Sequence, residues 1–236
     1  MCFSPEADFA SGALIGTVGV MTLAEARDKN ELPLAVLPLA FAVHQIVEGF
    51  VWLGLEGKVD KSVGDAAMYT YLFYAWALLP FLAPLAVMLV EPLRPRRRLM
   101  GCLTVLGAAV GLHLLIALAT GPISAHITGH TIDYRGIGDS GNVVTALYIL
   151  ASCGSFILSS QRRIRWFGIA NIAAVIGVAW VQSEGLTSLW CIWGATVSVL
   201  FLLQFRDWRR AERDGDRGPT SRGSPVLSRG PRSLSQ

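Results

Sequence analysis

The chain reads as an all-α protein, a bundle of seven transmembrane helices with the N-terminus outside and the C-terminus in the cytoplasm. Three observations predict this. Apolar runs of about 18–25 residues recur along the sequence, long enough for helices that cross a hydrocarbon core. The 236 residues are 53% hydrophobic and only 16% charged, away from the composition of a soluble domain. Finally, Lys and Arg alternate between the connecting segments. Segments 26–31, 91–98, 161–165 and 206–217 hold two, four, three and five of them, and segments 56–65, 121–141 and 183–185 hold two, one and none. Fourteen against three places the first set in the cytoplasm.

The spans are expected at about 9–26, 32–55, 66–90, 100–120, 142–160, 165–182 and 186–205. Ser4 is a good N-cap for the first helix, with Pro5 at the first helical position and Glu6 and Asp8 as first-turn acids. Gly12-x-x-x-Gly16 gives that helix a flat packing face. The second span, Leu32–Leu55, carries His44, Gln45 and Glu48 inside its apolar run. The third has Tyr69, Tyr71, Tyr74 and Trp76 in its first half, and Pro80 and Pro84 are expected to kink it. The fourth holds a second small-residue pair, Gly107 and Gly111, and a single His113. A polar loop over 121–141 follows, then the last three spans. Trp52, Trp180 and Trp190 at outer ends, with Trp166 and Trp208 at inner ends, read as interfacial belts.

No cleavable signal peptide is expected, because the first twenty residues lack a basic n-region. Residues 1–206 form the transmembrane domain and balance at zero charge. Residues 207–236 hold seven Arg against four acids. They are rich in Gly, Ser and Pro, and are expected to be a disordered basic cytoplasmic tail. The basic charge is thus topological. It predicts the lipid bilayer as partner, no nucleic acid, and a multi-pass protein of the cell membrane.

Phe41, His44, Gln45, Glu48 and Trp52 fall at i, i+3, i+4, i+7 and i+11, one stripe on one side of a helix. An ionisable group facing hydrocarbon costs at least about 2.5 kcal/mol, so the stripe is expected to face protein or a water-filled cavity. Counting along the spans at about 1.5 Å per residue places all four histidines and nearly every intramembrane acid or amide in the outer leaflet. The inner half holds Asn171, Ser152, Cys153 and little else that is polar. This predicts an outward-facing pocket built on Glu48, Gln45, His44, His113, Trp52 and Tyr74, capped by the 121–141 loop. Glu48 at i+4 from His44 has the spacing to orient the imidazole as a carboxylate behind a ligand does. His44, His113 and Cys2 are the candidate metal ligands. His126-x-x-x-His130 would share a face only if the loop were helical. For Cys2 and Cys191, both near the outer surface, three readings stay open: a disulfide, a metal ligand set with His44 or His113, or free thiols.

There is no His-Glu-x-x-His, no Gly-x-Ser-x-Gly, no phosphate-cradling loop and no Cys-x-x-Cys. Lys29, Lys58 and Lys61 are the three lysines. None lies in the last span, which excludes a retinal Schiff base there.

Met1-Cys2-Phe3-Ser4-Pro5-Glu6-Ala7, Leu-Pro-Leu-Ala at 32–35, His44-Gln45-x-x-Glu48-Gly49-x-x-Trp52 and Leu189-Trp190-Cys191 resemble a family of uncharacterised bacterial multi-pass membrane proteins, a domain of unknown function that begins Met-Cys-Phe-Ser. The resemblance covers roughly residues 1–205. It implies the membrane architecture and no activity. Gln is frequent in that family where this chain has His44, which shifts weight to Gln45 and Glu48.

The leading functional expectation is binding or sensing of a small ligand or cofactor of unknown identity, with Glu48 as the central polar group. The alternative is a membrane-embedded enzyme, metal-dependent or not, with Glu48 as general base. A transporter is third, since the inner half offers no matching polar path.

Overall fold

The computed structural model describes residues 4–129, 131–136, 141–181, 193 and 198–216. In chain order it contains α1 (Pro5–Glu25), α2 (Leu32–Leu55), α3 (Lys61–Leu72), a π-helical turn (Phe73–Leu78), α4 (Leu79–Val90) and α5 (Arg94–Thr120). Strands β1 (Ser124–Thr128) and β2 (Thr131–Arg135) follow, then α6 (Gly141–Leu158), α7 (Arg162–Val181) and α8 (Val199–Asp216). The stretch from α3 to α4 is one continuous rod, Lys61–Val90. Seven helical rods therefore make up the described chain. Four of them, α1, α2, Lys61–Val90 and α5, are long and apolar enough to cross a membrane.

Helix α1 starts as its sequence dictates, with Ser4 Oγ accepting the Ala7 N–H at 3.3 Å. Its buried stripe, Pro5, Asp8, Gly12, Ile15, Gly19 and Thr22, is narrow, which lets it lie close on α2. A Cβ on Gly12 would stand 2.7 Å from Ile46 Cγ1, and one on Gly19 2.6 Å from the Leu39 backbone. At Gly16 the nearest atom is an ordinary 3.7 Å away. The expected flat face exists, but its tight contacts are at Gly12 and Gly19.

The expected irregularity in the third rod takes the form of the π-helical turn. Leu79 N–H donates to Tyr74 O, one residue further back than in an α-helix, and Pro80 has no N–H to give. The Ala75 carbonyl thus loses both backbone donors that could reach it. Tyr148 of α6 supplies one through its hydroxyl, at 2.5 Å. Helix α5 packs on the same stretch through its glycine pair. A Cβ on Gly107 would stand 1.8 Å from Pro80 O, and one on Gly111 2.3 Å from Ala77 O.

Between α5 and α6 the expected polar loop contains an antiparallel hairpin, paired from Ser124↔Arg135 to Thr128↔Thr131. Gly129 turns it at φ +61°, a conformation glycine adopts without a side-chain clash. The hairpin overturns the helical option for His126. It lies exposed on β1 opposite Asp133, and His130 is outside the described residues.

The four Lys/Arg-rich segments meet at the other end of the bundle. Arg96 donates to Leu158 O at 3.0 Å, and buried Glu91 accepts Ser160 N–H at 2.9 Å and Ser159 Oγ at 3.3 Å. Arg163 pairs with Asp207 at 2.5 Å, and Arg27 with Glu212 at 3.2 Å. Helix α8 continues to Asp216, through the first part of the stretch expected as a disordered tail. It does so because buried Arg209 is held by Glu31, a partner across the fold that local composition does not reveal. Beneath this network Phe156, Phe167 and Phe201 pack ring on ring, with centroids 4.3–6.0 Å apart.

Candidate functional site

The stripe on α2 is buried throughout. Gln45 and Glu48 are fully enclosed, His44 and Trp52 retain 3% exposure and Phe41 6%. A run of five polar and aromatic side chains at helical spacing has one face, and α2 turns that face toward α1, α3 and the hairpin rather than outward.

Three elements complete the cluster. From α1, fully buried Asp8 accepts a hydrogen bond from Gln45 Nε2 at 3.3 Å. From α3, Tyr71 stacks on His44 with centroids 3.9 Å apart and planes 10° apart. Tyr74, in the π-helical turn, tilts against the same imidazole at 4.6 Å and meets Phe41 edge-on at 6.1 Å. From β2, Tyr134 stacks on Tyr71 at 5.0 Å, and its hydroxyl donates to Glu48 Oε1 at 3.5 Å. That bond is at the long limit for a hydrogen bond, so the hairpin touches the carboxylate lightly. Two carboxylates, an amide and three tyrosines thus join His44 in one buried cluster, a set suited to hydrogen-bond recognition and proton exchange.

Beside it, Val51, Trp52, Met68, Tyr71, Leu72, Leu118, Ala125 and Ile132 form an apolar cluster with Tyr134 packed against it. Trp52 Nε1 is buried there with no hydrogen-bond partner among the described residues. Trp52 therefore belongs to the interior and not to the interfacial belt expected of it. A cleft of about 560 Å³ opens at the foot of β1, over Val51, Met68 and Ala125 of the same cluster, with Lys61 and Asp65 at its edge. Its size is that of ordinary small-ligand sites.

Of the predicted site residues, the structure brings together His44, Gln45, Glu48, Trp52 and Tyr74. It does not bring in His113, which is exposed on α5 next to buried Leu114. A lone histidine on an apolar helix gives no sequence cue to its rotation, and the Gly107–Gly111 face is the one that α5 turns inward. The metal set of His44, His113 and Cys2 is thereby broken. Among the described residues no group of three His, Cys, Asp or Glu is placed to hold a metal ion. Cys2 and Cys191 lie outside the described residues, while Cys102 and Cys153 are free thiols, the first exposed and the second buried.

Asp8, Tyr71 and Tyr134 were not among the predicted site residues. Asp8 had a signal, since it lies on the same stripe as Gly12, Ile15 and Gly19, the face that approaches α2. Tyr71 shares a helix face with Tyr74 and with buried Met68. Tyr134 had only the Thr128-Gly129 turn flanked by β-branched residues, the mark of a hairpin.

No curated protein matches the chain, and no solved structure matches it. The chain belongs to the family described as "Family of unknown function (DUF6629)", which matches it over residues 1–216.

Proposed function

We propose that this chain is a seven-span protein of the cell membrane that binds a small ligand from the outer side, at the buried cluster centred on Glu48. One observation carries the reading: the Tyr134 hydroxyl, on a hairpin that connects two helices, reaches a carboxylate enclosed in the helical bundle. A light contact from a short two-stranded element is a natural closure, since such a hairpin is only marginally stable alone. Its displacement would bare Glu48 and the Tyr71 ring together. The enzyme reading keeps Glu48 as general base and differs in requiring turnover.

Glu48→Gln separates a binding group from a structural one. A carboxylate retained for a ligand is a stability cost in the empty protein, and its neutral isostere is expected to stabilise the bundle by about 1 kcal/mol. The melting temperature of ligand-free protein in detergent would rise. A fall of several degrees would make Glu48 internal glue and end the binding reading. Native mass spectrometry of gently extracted protein supplies the second arm, with a bound mass present in wild type and absent from Glu48→Gln.

The orientation follows from the clustering of the Lys/Arg-rich segments at one end. A cysteine at exposed Ile127 on β1 is expected to react with a membrane-impermeant maleimide in intact cells, above the background of the native cysteines. A cysteine at Arg94 is expected to react only after permeabilisation. The reverse pattern would invert the protein.

A further inference from the structure

We infer that the basic end carries a binding surface for anionic phospholipid headgroups, formed by the first turns of α5 and α7 at the same end of the bundle. Some arginines at this end are committed: Arg27, Arg163, Arg206 and Arg209 have carboxylate partners. The side chains of Arg94, Arg97, Arg98, Arg162 and Arg165 make neither an ion pair nor a hydrogen bond among the described residues, and all five residues are exposed. Both helices repeat one pattern. Arg94, Arg97 and Arg98 stand at i, i+3 and i+4, as do Arg162, Arg165 and Trp166, so each trio shares a helix face. The Arg96–Leu158 O bond and the Glu91–Ser160 bond tie the start of α5 to the end of α6 and to the short connection that leads into α7.

This arrangement works against its own helices. The first turn of a helix favours acids, and arginines there oppose the macrodipole as well as one another. An anion over the patch relieves both. The flanking residues indicate which anion: Trp166 is 53% exposed, with Leu93 and Leu99 nearly as open. An amphipathic ring and two leucines beside a positive patch suit the boundary between headgroups and acyl chains, where a free phosphate would gain nothing from them. The inference rests on the membrane placement proposed above and is independent of the Glu48 cluster.

The test uses the full chain in phosphatidylcholine vesicles containing equal fractions of brominated phosphatidylglycerol or brominated phosphatidylcholine. The Trp166 signal is taken as the difference between wild type and Trp166→Phe. Stronger quenching by the anionic lipid, weakening with salt, is the expected result. The excess should drop roughly tenfold in Arg162→Gln/Arg165→Gln, and similarly in Arg94→Gln/Arg98→Gln. It should survive in Arg210→Gln, an exposed arginine on α8 that reports on folding. Equal quenching by the two lipids overturns the headgroup preference. Loss of the excess to inorganic phosphate at constant ionic strength assigns the patch to free anions and also overturns it. If neither lipid quenches any tryptophan, the membrane placement itself fails, a result distinct from the other two.

Discussion

Glu31→Ala is expected to destabilise the protein by about 3 kcal/mol, one of the largest effects of any single side-chain truncation at the basic end. The Arg209 side chain is 2% exposed, and both terminal nitrogens are engaged. Nη2 donates to the two Glu31 oxygens at 2.5 Å and Nη1 to the two Glu212 oxygens at 2.7 and 2.9 Å. Burial works against the guanidinium's charge, yet the hydrogen bonds and charge of Glu31, then of Glu212, outweigh it and hold its pKa above the usual arginine value. Removing Glu31 leaves a buried cation with one partner that is itself half exposed. The cost belongs at the low end of the roughly 3–5 kcal/mol range for a broken buried pair, because Glu212 remains. Glu31→Leu with Arg209→Met removes both charges and should recover most of the loss. Thermal melts of the three proteins in one detergent check this. A single variant as stable as wild type would show that the turn between α1 and α2 is not anchored by α8.

Gly107→Val should be worse tolerated than any conservative change in the apolar cores. The Cβ alone would stand 1.8 Å from a backbone oxygen, Pro80 O, and a backbone atom cannot rotate away as a side chain can. Overpacking costs roughly 1–3 kcal/mol where neighbours can adjust. Here α5 would have to leave the π-helical turn, and with it the seam that Gly111 shares, so the loss is expected at or above about 3 kcal/mol. Gly177→Ala is the matched control. Nothing lies within 4 Å of a Cβ there, and alanine in a helix is favoured over glycine by up to about 1 kcal/mol. If both variants melt alike, α4 and α5 do not meet as described.

The two seams bear on the site differently. Gly12 and Gly19 bring α1 onto α2, which carries Asp8 within reach of Gln45. Gly107 and Gly111 fix α5 against the rod that bears Tyr71 and Tyr74. Small residues let helix backbones approach closely, and here the approach positions polar side chains as well.

Much of this was legible from residue order. The shared burial of Phe41, His44, Gln45 and Glu48 agrees with their helical spacing on one face of α2. Ser4 caps α1 because a short side-chain oxygen suits an orphan N–H. Gly12, Gly107 and Gly111 mark close contacts because a larger residue would leave no room for them, whereas Gly16 does not. Spacing also assigned one face to α1, α2 and α5, though not the direction in which that face turns.

His113, Trp52 and Asp8 show what spacing leaves open. His113 faces outward because Gly107 and Gly111 claim the inner side of α5. Trp52 is interior because Tyr71 and the hairpin cover it. Asp8 became a member of the polar cluster because α1 lies within contact of α2. The hairpin itself was masked by its polar composition, and the extension of α8 by an ion pair between residues 178 positions apart. Sequence by itself determined that the α2 stripe must be hidden and that the long apolar segments up to Thr120 are helical, since both follow from local spacing. Only the tertiary structure decided which hidden residues meet, because that depends on helix rotation and on contacts far apart in the chain.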